Sequence, residues 1–594
     1  MPVETHRGLR LEVTSRRMSG PLVPGGRPNM KLYGALLVTA VTLMLVLLVV
    51  PTVWTGVLAF SENGRPSLAH FASVFTDPGS LRAFLHTGIW LLIAGLMLVV
   101  GFGLAVLSQQ HFGRWSAAFV NVMMLPFGLS ALASGAAFRI IFDPAPERGS
   151  ATALTTLLTG SSPVWLGPNL IWLVLISAFA WTWLGFVVSL YRAGLEAIPR
   201  EHIRRARAQG SGGWLRGMLN LQWRLLRPVT WVVLLTLCVA AARIFDLVLI
   251  VAPGPMQDEV NVVSVHWWRL ATSSADQGPS AAVAVVLLAG VAGVALLCRK
   301  MMRQPHSVVP QPPRRPLRHW PRRGVPLLST VIGLAVSLLW AFPMFVLVVT
   351  AVRSPDDAGA VGWWRPATAL LSTASLAEVL GAGLPGALWS TLIVAGGSAL
   401  IVASAALVPA YALAAARHRA LVTALTIVLS ILAVLPVQMY VGPLRQLIDG
   451  WGLSGRTIPL ILMHAAAGLP FAILLLRGAL ASAAESRAGD TLGRRAGSRT
   501  DAARHLWRTT GRALVAVAVL EFVLVWDDFI VSFLVSGPGS SPLTLVLWGE
   551  ARQFGISTGP VAAAAVLSAL VPAGLLMGTW RRWVVPGLTG GVFR

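Results

Sequence analysis

The sequence is poor in charged residues and in cysteine. Of its 594 residues, 12% are charged and 55% are hydrophobic. A soluble chain of this length could not bury so much apolar surface, so the composition indicates a membrane protein. The two cysteines, Cys238 and Cys298, each lie in or beside an apolar run. They provide neither a disulfide framework nor the ligand spacing of a metal site.

Lysine is almost missing, since only Lys31 and Lys300 are present. A P-loop ends in Gly-Lys-Ser/Thr so that backbone amides and the lysine cradle phosphates, and neither lysine follows a glycine. The sequence also lacks a nucleophile elbow and a His-Glu-x-x-His run. We therefore expect no catalytic residues, no metal site and no enzyme activity in this chain.

Long apolar runs dominate the sequence. A helix needs about 20 apolar residues to cross a bilayer core about 30 Å thick. Twelve runs of this kind predict an all-α polytopic membrane protein with about 12 transmembrane helices. The first six lie near 32–60, 87–108, 117–142, 169–191, 229–251 and 280–298. The second six lie near 325–352, 387–413, 421–443, 457–476, 513–536 and 559–579.

The positive charge is confined to particular loops. With both termini placed in the cytosol, 36 of the 47 lysines and arginines fall in inside segments and 9 in outside loops. This distribution follows the positive-inside rule. It predicts a multi-pass protein of the plasma membrane with cytosolic N- and C-termini. It also explains the net charge of +24 without a nucleic-acid partner.

The two sets of spans predict two parallel six-helix domains. A basic cytosolic tail occupies 1–31, the first domain 32–298 and the second domain 325–594. Between the domains, 299–324 is rich in proline and arginine, a composition typical of a cytosolic linker. Parallel repeats of this kind are a known transporter architecture, with the substrate near the membrane midplane at the repeat interface.

Each domain carries a long basic segment between its fourth and fifth spans, at 192–228 and at 477–512. One such segment alone is equally well explained as an ordinary positive-inside loop. Recurrence at the same topological position favours a functional role. In the first segment, Pro199 follows Ile198 and is suited to the first turn of a helix, and Gly210 is suited to the left-handed end of that helix.

The first segment resembles the EAA loop of binding-protein-dependent ABC importer permeases, in which an Ile-Pro turn leads to a Glu-Ala-Ala helix and a glycine. In this sequence Arg204 and Arg205 stand where Glu and Ala are usual. The second basic segment, 477–512, lacks the Ile-Pro turn. The resemblance implies that these segments dock on ATPase subunits. The implied coupling residues are Ile198, Pro199, Glu201, Arg204, Arg205, Ala206, Gly210, Arg487, Ala488 and Gly493.

The flanking sequence extends the resemblance over nearly the whole chain. Phe245-Asp246, followed by Pro253-Gly254-Pro255, resembles the end of the fifth helix in maltose-type first permeases. Trp526-Asp527-Asp528-Phe529 stands where the partner permease favours Trp-Asn-Glu-Phe, and the tail 581–592 is the closest single match. The chain therefore resembles a fusion of two permeases of the carbohydrate-uptake class that includes maltose, α-glucoside and glycerol-3-phosphate importers.

This resemblance implies the transmembrane pore of an ATP-driven importer of a sugar or oligosaccharide. The implied partners are two copies of an ABC ATPase, an extracytoplasmic solute-binding protein, the sugar and the lipid bilayer. ATP and Mg would be bound by the ATPase, and no cofactor by this chain. The alternative is a 12-helix secondary carrier of the major-facilitator kind. Such carriers usually bear a charged signature between spans two and three, where residues 108–115 hold one arginine.

Polar residues within the spans are candidates for the substrate path, because a charge at membrane depth costs about 2.5 kcal/mol or more. Arg243 and Asp246 are three residues apart and are predicted to share a helix face, where they either pair or line the path. Of the adjacent Asp527 and Asp528, at most one is expected to face the pore. The full predicted path, with aromatic residues added, is Trp181, Trp183, Phe186, Arg243, Asp246, Gln438, Tyr440, Asp527 and Asp528.

Overall fold

The computed structural model describes residues 30–112, 115–198, 223, 226–274, 276–302, 327–366, 371–491, 499–536, 542–552 and 558–589. These residues are almost entirely helical. The only sheet among them is a two-stranded hairpin in which β1 (Ser61–Glu62) pairs antiparallel with β2 (Arg65–Pro66). The predicted all-α class is confirmed.

The described residues of the first half form twelve α-helices, of which several are short. They are α1 Met30–Met44, α2 Val50–Ala59, α3 Ala69–Thr76, α4 Pro78–His111, α5 Ser116–Met124, α6 Ala131–Ile141, α7 Ser150–Thr159, α8 Ile171–Ala197, α9 Arg227–Ala242, α10 Asp246–Val251, α11 Val263–Ser273 and α12 Gly278–Met302. A π-helical turn at Leu45–Val49 joins α1 to α2 into one long rod.

The second half repeats this mixture of long and short helices. They are α13 Leu327–Ala351, α14 Pro355–Ala360, α15 Ala374–Gly381, α16 Leu384–Ala405, α17 Leu407–Ala415, α18 Arg419–Leu432, α19 Val441–Gly450, α20 Thr457–Thr491, α21 Arg499–Trp526, α22 Ile530–Val535, α23 Leu543–Arg552, α24 Thr558–Thr579 and α25 Val585–Thr589. A 3₁₀ turn at Val437–Met439 precedes α19.

Eight helical stretches of the described chain are long and apolar enough to cross a membrane. They are Gly34–Ala59, Pro78–Gln109, Ile171–Ala197, Gly278–Met301, Thr330–Ala351, Leu384–Ala415, Thr457–Ala481 and Thr558–Leu588. These match the predicted spans 1, 2, 4, 6, 7, 8, 10 and 12. The third predicted span corresponds to a pair of helices, Ser116–Gly128 and Ala131–Ile141, bent by 104°. The polytopic membrane architecture is confirmed, and the total of twelve spans stays a prediction.

The fifth and eleventh predicted spans are interrupted. In the first half, α9 ends at Ala242 and α10 begins at Asp246. In the second half, α21 ends at Trp526 and α22 begins at Ile530. The predicted spans 229–251 and 513–536 are therefore each divided into two helices. Non-helical backbone at membrane depth is tolerated where it is buried in protein or lines a cavity, so both interruptions mark places to look for function.

The two halves pack against each other through buried side-chain hydrogen bonds. The indole nitrogen of Trp181 donates to the carbonyl of Trp340 at 2.7 Å, and that of Trp340 donates to the carbonyl of Met123 at 3.2 Å. The indole of Trp580 donates to the hydroxyl of Ser189. Without water, each buried donor needs a protein acceptor, so these bonds join the halves specifically.

Candidate functional site

The two helix interruptions meet at the interface between the halves. A guanidinium nitrogen of Arg243 lies 3.5 Å from a carboxylate oxygen of Asp528. Beside this ion pair, the rings of Phe245 and Phe529 stack with centroids 6.1 Å apart and planes 29° apart. Each interruption thus contributes one charged side chain to the ion pair and one phenylalanine ring to the stacked pair.

Asp528 is held rigidly from several directions. One of its carboxylate oxygens accepts the backbone N–H of Val531 at 3.0 Å, which caps the start of α22. The same oxygen lies 3.9 Å from Nε2 of His464 on α20. The Asp528 side chain is 8% exposed, whereas that of Arg243 is 42% exposed. The Asp528 side chain is therefore buried and held by several contacts, whereas the Arg243 side chain is partly exposed.

The predicted relation between Arg243 and Asp246 needs correction. Arg243 follows the last residue of α9 and Asp246 begins α10, so no single helix face carries both. The ion-pair partner of Arg243 is Asp528 in the other half. An oxygen of Asp246 instead accepts the backbone N–H of Leu247 at 3.2 Å. The i, i+3 geometry assumed from the sequence does not apply across a break in the helix.

The remaining predicted polar groups gather at the same place. Asp246 is close enough to interact electrostatically with both Asp527 and Asp528. Tyr440 interacts in the same way with Arg243 and Asp528. Arg243, Asp246, Tyr440, His464, Asp527 and Asp528 are called the charged cluster below. Its three aspartates supply hydrogen-bond acceptors, and its arginine, tyrosine and histidine supply donors.

His464 and Glu521 are two further polar residues that the predicted path does not include. His464 and Gly468 lie one turn apart on α20. A Cβ atom added to Gly468 would collide with the carboxylate of Glu521 on α21, which is 7% exposed. The signal was present, because a histidine or a glutamate inside an apolar run is costly and usually has a partner.

An aromatic cluster adjoins the charged cluster. It consists of Phe245, Trp268, Phe529, Phe533 and Trp548. Successive ring centroids are 5.0 Å apart for Phe529 and Phe533, 5.6 Å for Phe529 and Trp548, and 5.8 Å for Phe245 and Trp268. The five rings come from both halves. None of them was predicted, because the pairing of the two interruptions is a tertiary feature that periodicity does not show.

The three predicted path residues on α8 lie elsewhere. Trp181 is 3% exposed and is engaged with Trp340 in the contact between halves. Trp183 and Phe186 pack on Phe127, with centroids at 5.5 and 5.1 Å. These three residues therefore form helix–helix packing contacts, and they are not part of the charged cluster.

Gln438 is also separated from the charged cluster. Although it lies only two residues before Tyr440, it lines a different cleft with Thr55 and Trp267 of the first half. The 3₁₀ turn at Val437–Met439 directs successive side chains to different sides, which a sequence window does not reveal.

Most of the predicted coupling residues lie outside the described residues. Ile198 is buried directly after the end of α8. Arg487 and Ala488 belong to α20, which continues from the tenth span as far as Thr491. The residues outside the described ranges are Pro199, Glu201, Arg204, Arg205, Ala206, Gly210 and Gly493.

Comparison with known proteins identifies relatives for parts of the chain, although no protein-family model matches it. A probable ABC transporter permease protein of Pyrococcus horikoshii is 23% identical over 268 residues, which are 43% of this chain and 92% of that protein. The osmoprotective compounds uptake permease protein GgtD of Synechocystis is 26% identical over 44% of this chain and 89% of that protein.

The sn-glycerol-3-phosphate transport system permease protein UgpA of Yersinia enterocolitica is 27% identical over 258 residues, or 41% of this chain and 83% of that protein. The chain is therefore similar to sugar ABC transporter permeases. Each relative aligns over most of its own length with less than half of this chain, which fits two permeases fused in one chain. The predicted resemblance is confirmed.

A solved structure also matches. One chain of a bacterial ABC transporter that imports the acidic polysaccharide alginate is 20% identical and has a TM-score of 0.40. The match covers 46% of the protein described here and 96% of that chain.

Proposed function

We propose that this protein forms the transmembrane pathway of an ATP-driven importer that moves a sugar or oligosaccharide into the cytoplasm. The observation that carries the proposal is the meeting of the two helix interruptions through Arg243 and Asp528. In transporters with internal repeats, discontinuous helices at the repeat interface near the midplane form the substrate site. The charged cluster and its aromatic neighbours lie where two discontinuous helices meet between the halves, which supports the proposal.

The chemistry of this site suits a hydroxylated solute. Carboxylate oxygens of Asp246 and Asp527 can accept hydrogen bonds from hydroxyl groups, and the exposed guanidinium of Arg243 can donate them. The rings of Trp268 and Phe533, both half-buried, present apolar faces to the C–H face of a sugar ring. Such a site orients a polar ligand through a few placed groups within largely apolar walls.

Coupling to ATP would pass through the two basic segments. We propose that 192–228 and 477–512 each dock on one copy of an ABC ATPase, which binds ATP and Mg. The helix α20 contains 35 residues, a length of about 52 Å at 1.5 Å per residue. It is therefore longer than the bilayer core of about 30 Å, and its end at Thr491 would project into the cytosol. With both termini inside, a solute-binding protein would deliver sugar at the opposite face.

ATP and the loaded binding protein must then favour the same conformation, since each shifts the equilibrium only by its differential affinity for the two states. The relatives described above are ABC permeases, so they do not favour the alternative of a 12-helix secondary carrier. The two functions differ in energy source. Uptake driven by an ion gradient without an ATPase would support the carrier.

The proposed site is tested by Asp528→Asn, which keeps the shape but removes the charge that anchors Arg243. ATP-dependent sugar uptake in proteoliposomes should fall at least about tenfold, which corresponds to 1.4 kcal/mol. The matched control is Asp356→Asn, an exposed aspartate in the first turn of α14. Uptake by Asp528→Asn equal to that of the control would rule out the charged cluster as the substrate site.

A further inference from the structure

A π-helical turn of the second half, Trp580–Val584, packs against the end of α8 in the first half. The turn joins α24 to α25, and its Trp580 indole donates to the hydroxyl of Ser189 on α8. Arg192 lies three residues after Ser189, so the two side chains share the face of α8 that meets this turn. π-Helical turns are rare and frequently occur at functional sites.

The turn brings arginines of the two halves together. Arg581 is exposed, and it is close enough to Arg192 for the two positive charges to repel each other. Arg582, the next residue, is also exposed. Glu196, one turn after Arg192 on α8, pairs with it. We call Arg192, Glu196, Arg581 and Arg582 the arginine patch. Its three positive charges outnumber its single negative charge.

Arg192 is only partly satisfied within the arginine patch. Its side chain is 17% exposed, and its Nη2 atom lies 3.1 Å from a carboxylate oxygen of Glu196. Its Nη1 atom is buried and has no hydrogen-bond partner. A guanidinium removed from water needs acceptors for its donors, and a neighbouring arginine adds repulsion without supplying an acceptor. An anion at this place would accept from Arg192 and offset its repulsion with Arg581.

The arginine patch lies at the depth of lipid headgroups. Arg192 and Arg581 belong to the apolar stretches that match the fourth and twelfth predicted spans. They lie five and seven residues before the ends of these stretches, which corresponds to about 8–10 Å of helix. In the predicted topology both stretches end at the cytosolic face, whose leaflet carries anionic lipids. An anion that reaches this depth while staying within the membrane is a lipid phosphate.

A tryptophan next to the patch fits the same depth. Trp583 is half-buried, and the guanidinium carbon of Arg582 lies 5.5 Å from its ring centroid. Tryptophan is enriched where apolar chains meet the headgroups, because its ring is apolar and its N–H is polar. Trp583 therefore places Arg582 at the level where a headgroup phosphate lies.

We propose that the arginine patch binds the phosphate of an anionic phospholipid, with Arg192 and Arg581 donating from the two halves to oxygens of one phosphate. Arginine suits this role because its planar guanidinium binds phosphate through two parallel hydrogen bonds. A lipid held in this way would join the end of α8 to the turn Trp580–Val584, and thus one half to the other. The site is separate from the charged cluster, and its occupancy does not depend on the proposed transport function.

The experiment titrates the full chain in neutral detergent micelles with phosphatidylglycerol or with zwitterionic phosphatidylcholine. Native mass spectrometry counts the lipids bound to each protein and gives a Kd for each lipid. Phosphatidylglycerol should bind at least about tenfold more tightly, because its headgroup keeps a net negative charge. A third arm adds inorganic phosphate, which should not displace the bound lipid.

Substitutions then locate the bound lipid. Arg192→Gln and Arg581→Gln should each weaken phosphatidylglycerol binding by about tenfold. The double variant should bind little more weakly than either single variant, because both arginines hold one phosphate. Glu196→Gln removes the carboxylate of the patch and should tighten binding. The control is Arg445→Gln, which removes an equal charge from an exposed ion pair on α19 and should leave binding unchanged.

The exposed position of Arg581 keeps the test decisive even if Arg192→Gln does not fold. Phosphatidylglycerol binding that survives Arg581→Gln, or an equal loss in Arg445→Gln, would overturn the proposal. Displacement of the lipid by inorganic phosphate would show a site for soluble anions and would overturn it as well. So would Arg581→Gln protein that binds the lipid normally but no longer co-purifies with an ATPase, because the patch would then recognise a protein.

Discussion

Arg243 and Asp528, 285 positions apart in the sequence, form an ion pair that joins the two helix interruptions. The Asp528 carboxylate also accepts the backbone N–H of Val531 at the start of α22. Asp528 therefore stabilises both this helix and the ion pair with Arg243. We expect Arg243→Ala and Asp528→Ala to be non-additive in the free energy of unfolding, with a coupling of about 0.5 kcal/mol or more. A double-mutant cycle, measured by chemical unfolding in detergent micelles, gives this coupling energy. Arg243→Ala combined with Asp449→Ala, an exposed aspartate paired with Arg445, should be additive.

Gly468 makes room for Glu521. A methyl group at position 468 would collide with the Glu521 carboxylate, so Gly468→Ala should destabilise the protein by about 1–3 kcal/mol. The double variant Gly468→Ala/Glu521→Ala should recover most of that loss. Gly396→Ala on α16 is the control, since nothing lies within 4 Å of its added Cβ. That change should be neutral or stabilising by up to about 1 kcal/mol, because alanine is the better helix former.

The sequence predicted the apolar spans well because twenty-residue hydropathy is a local property. Among its candidate path residues, Asp246, Tyr440 and Asp528 lie together in the charged cluster, since polar groups at membrane depth are expensive wherever they occur. It did not predict the pairing of Arg243 with Asp528. That contact depends on two helix breaks which carry no proline, and helix breaks without proline or glycine leave little local signal.

The roles of individual aromatic residues could not be predicted from the sequence. Trp181 and Phe533 are both aromatic residues of apolar runs, so composition alone cannot separate a packing residue from a site residue. The structure engages Trp181 with Trp340 and places Phe533 beside Phe245 and Phe529. Which neighbour a ring meets is decided by tertiary packing.

Arg353 holds a loop of the second half in place. Its guanidinium, in a side chain 6% exposed, donates to the carbonyls of Val361, Gly362, Trp363 and Arg365. Arg353→Lys cannot reproduce this planar fork, and each lost charge-assisted bond costs about 1.5–3 kcal/mol. We expect thermal unfolding of Arg353→Lys to occur well below that of wild type.

The control for Arg353 is Arg365→Lys, because the Arg365 side chain lies at an exposed position of the same loop. The loop also contacts the first half, where the Gly362 N–H donates to the Glu147 carbonyl at 2.7 Å. Equal unfolding temperatures for the two lysine variants would show that the hydrogen bonds of the Arg353 guanidinium contribute little to thermal stability.

His266 on α11 makes stability depend on pH. Its ring nitrogen bonds the Ser80 hydroxyl at 2.8 Å. Burial lowers the pKa of His266, and Arg269 lowers it further, against the opposing effect of Asp77. As pH falls below about 6.5, His266 is therefore protonated in the unfolded chain before it is protonated in the folded protein. The free energy of unfolding should decrease as pH falls through that range.

Unfolding temperatures between pH 7.5 and 5.5 measure this effect. The His266→Asn variant should show a smaller decrease over this range than wild type, and His418→Asn, at an exposed position before α18, should keep the wild-type slope. Asp77 titrates below the window, because the Ser80 backbone hydrogen bond lowers the pKa of its carboxyl. An unchanged slope in His266→Asn would exclude the histidine as the cause.

The most direct test of the importer proposal is uptake by proteoliposomes that contain this chain as their sole transmembrane subunit. They would be loaded with ATP and supplied with an ABC ATPase on the inside and a solute-binding protein on the outside. We expect labelled sugar to accumulate only when all three components and ATP are present. Uptake driven by a proton gradient without the ATPase, or an absolute requirement for a second permease chain, would contradict it.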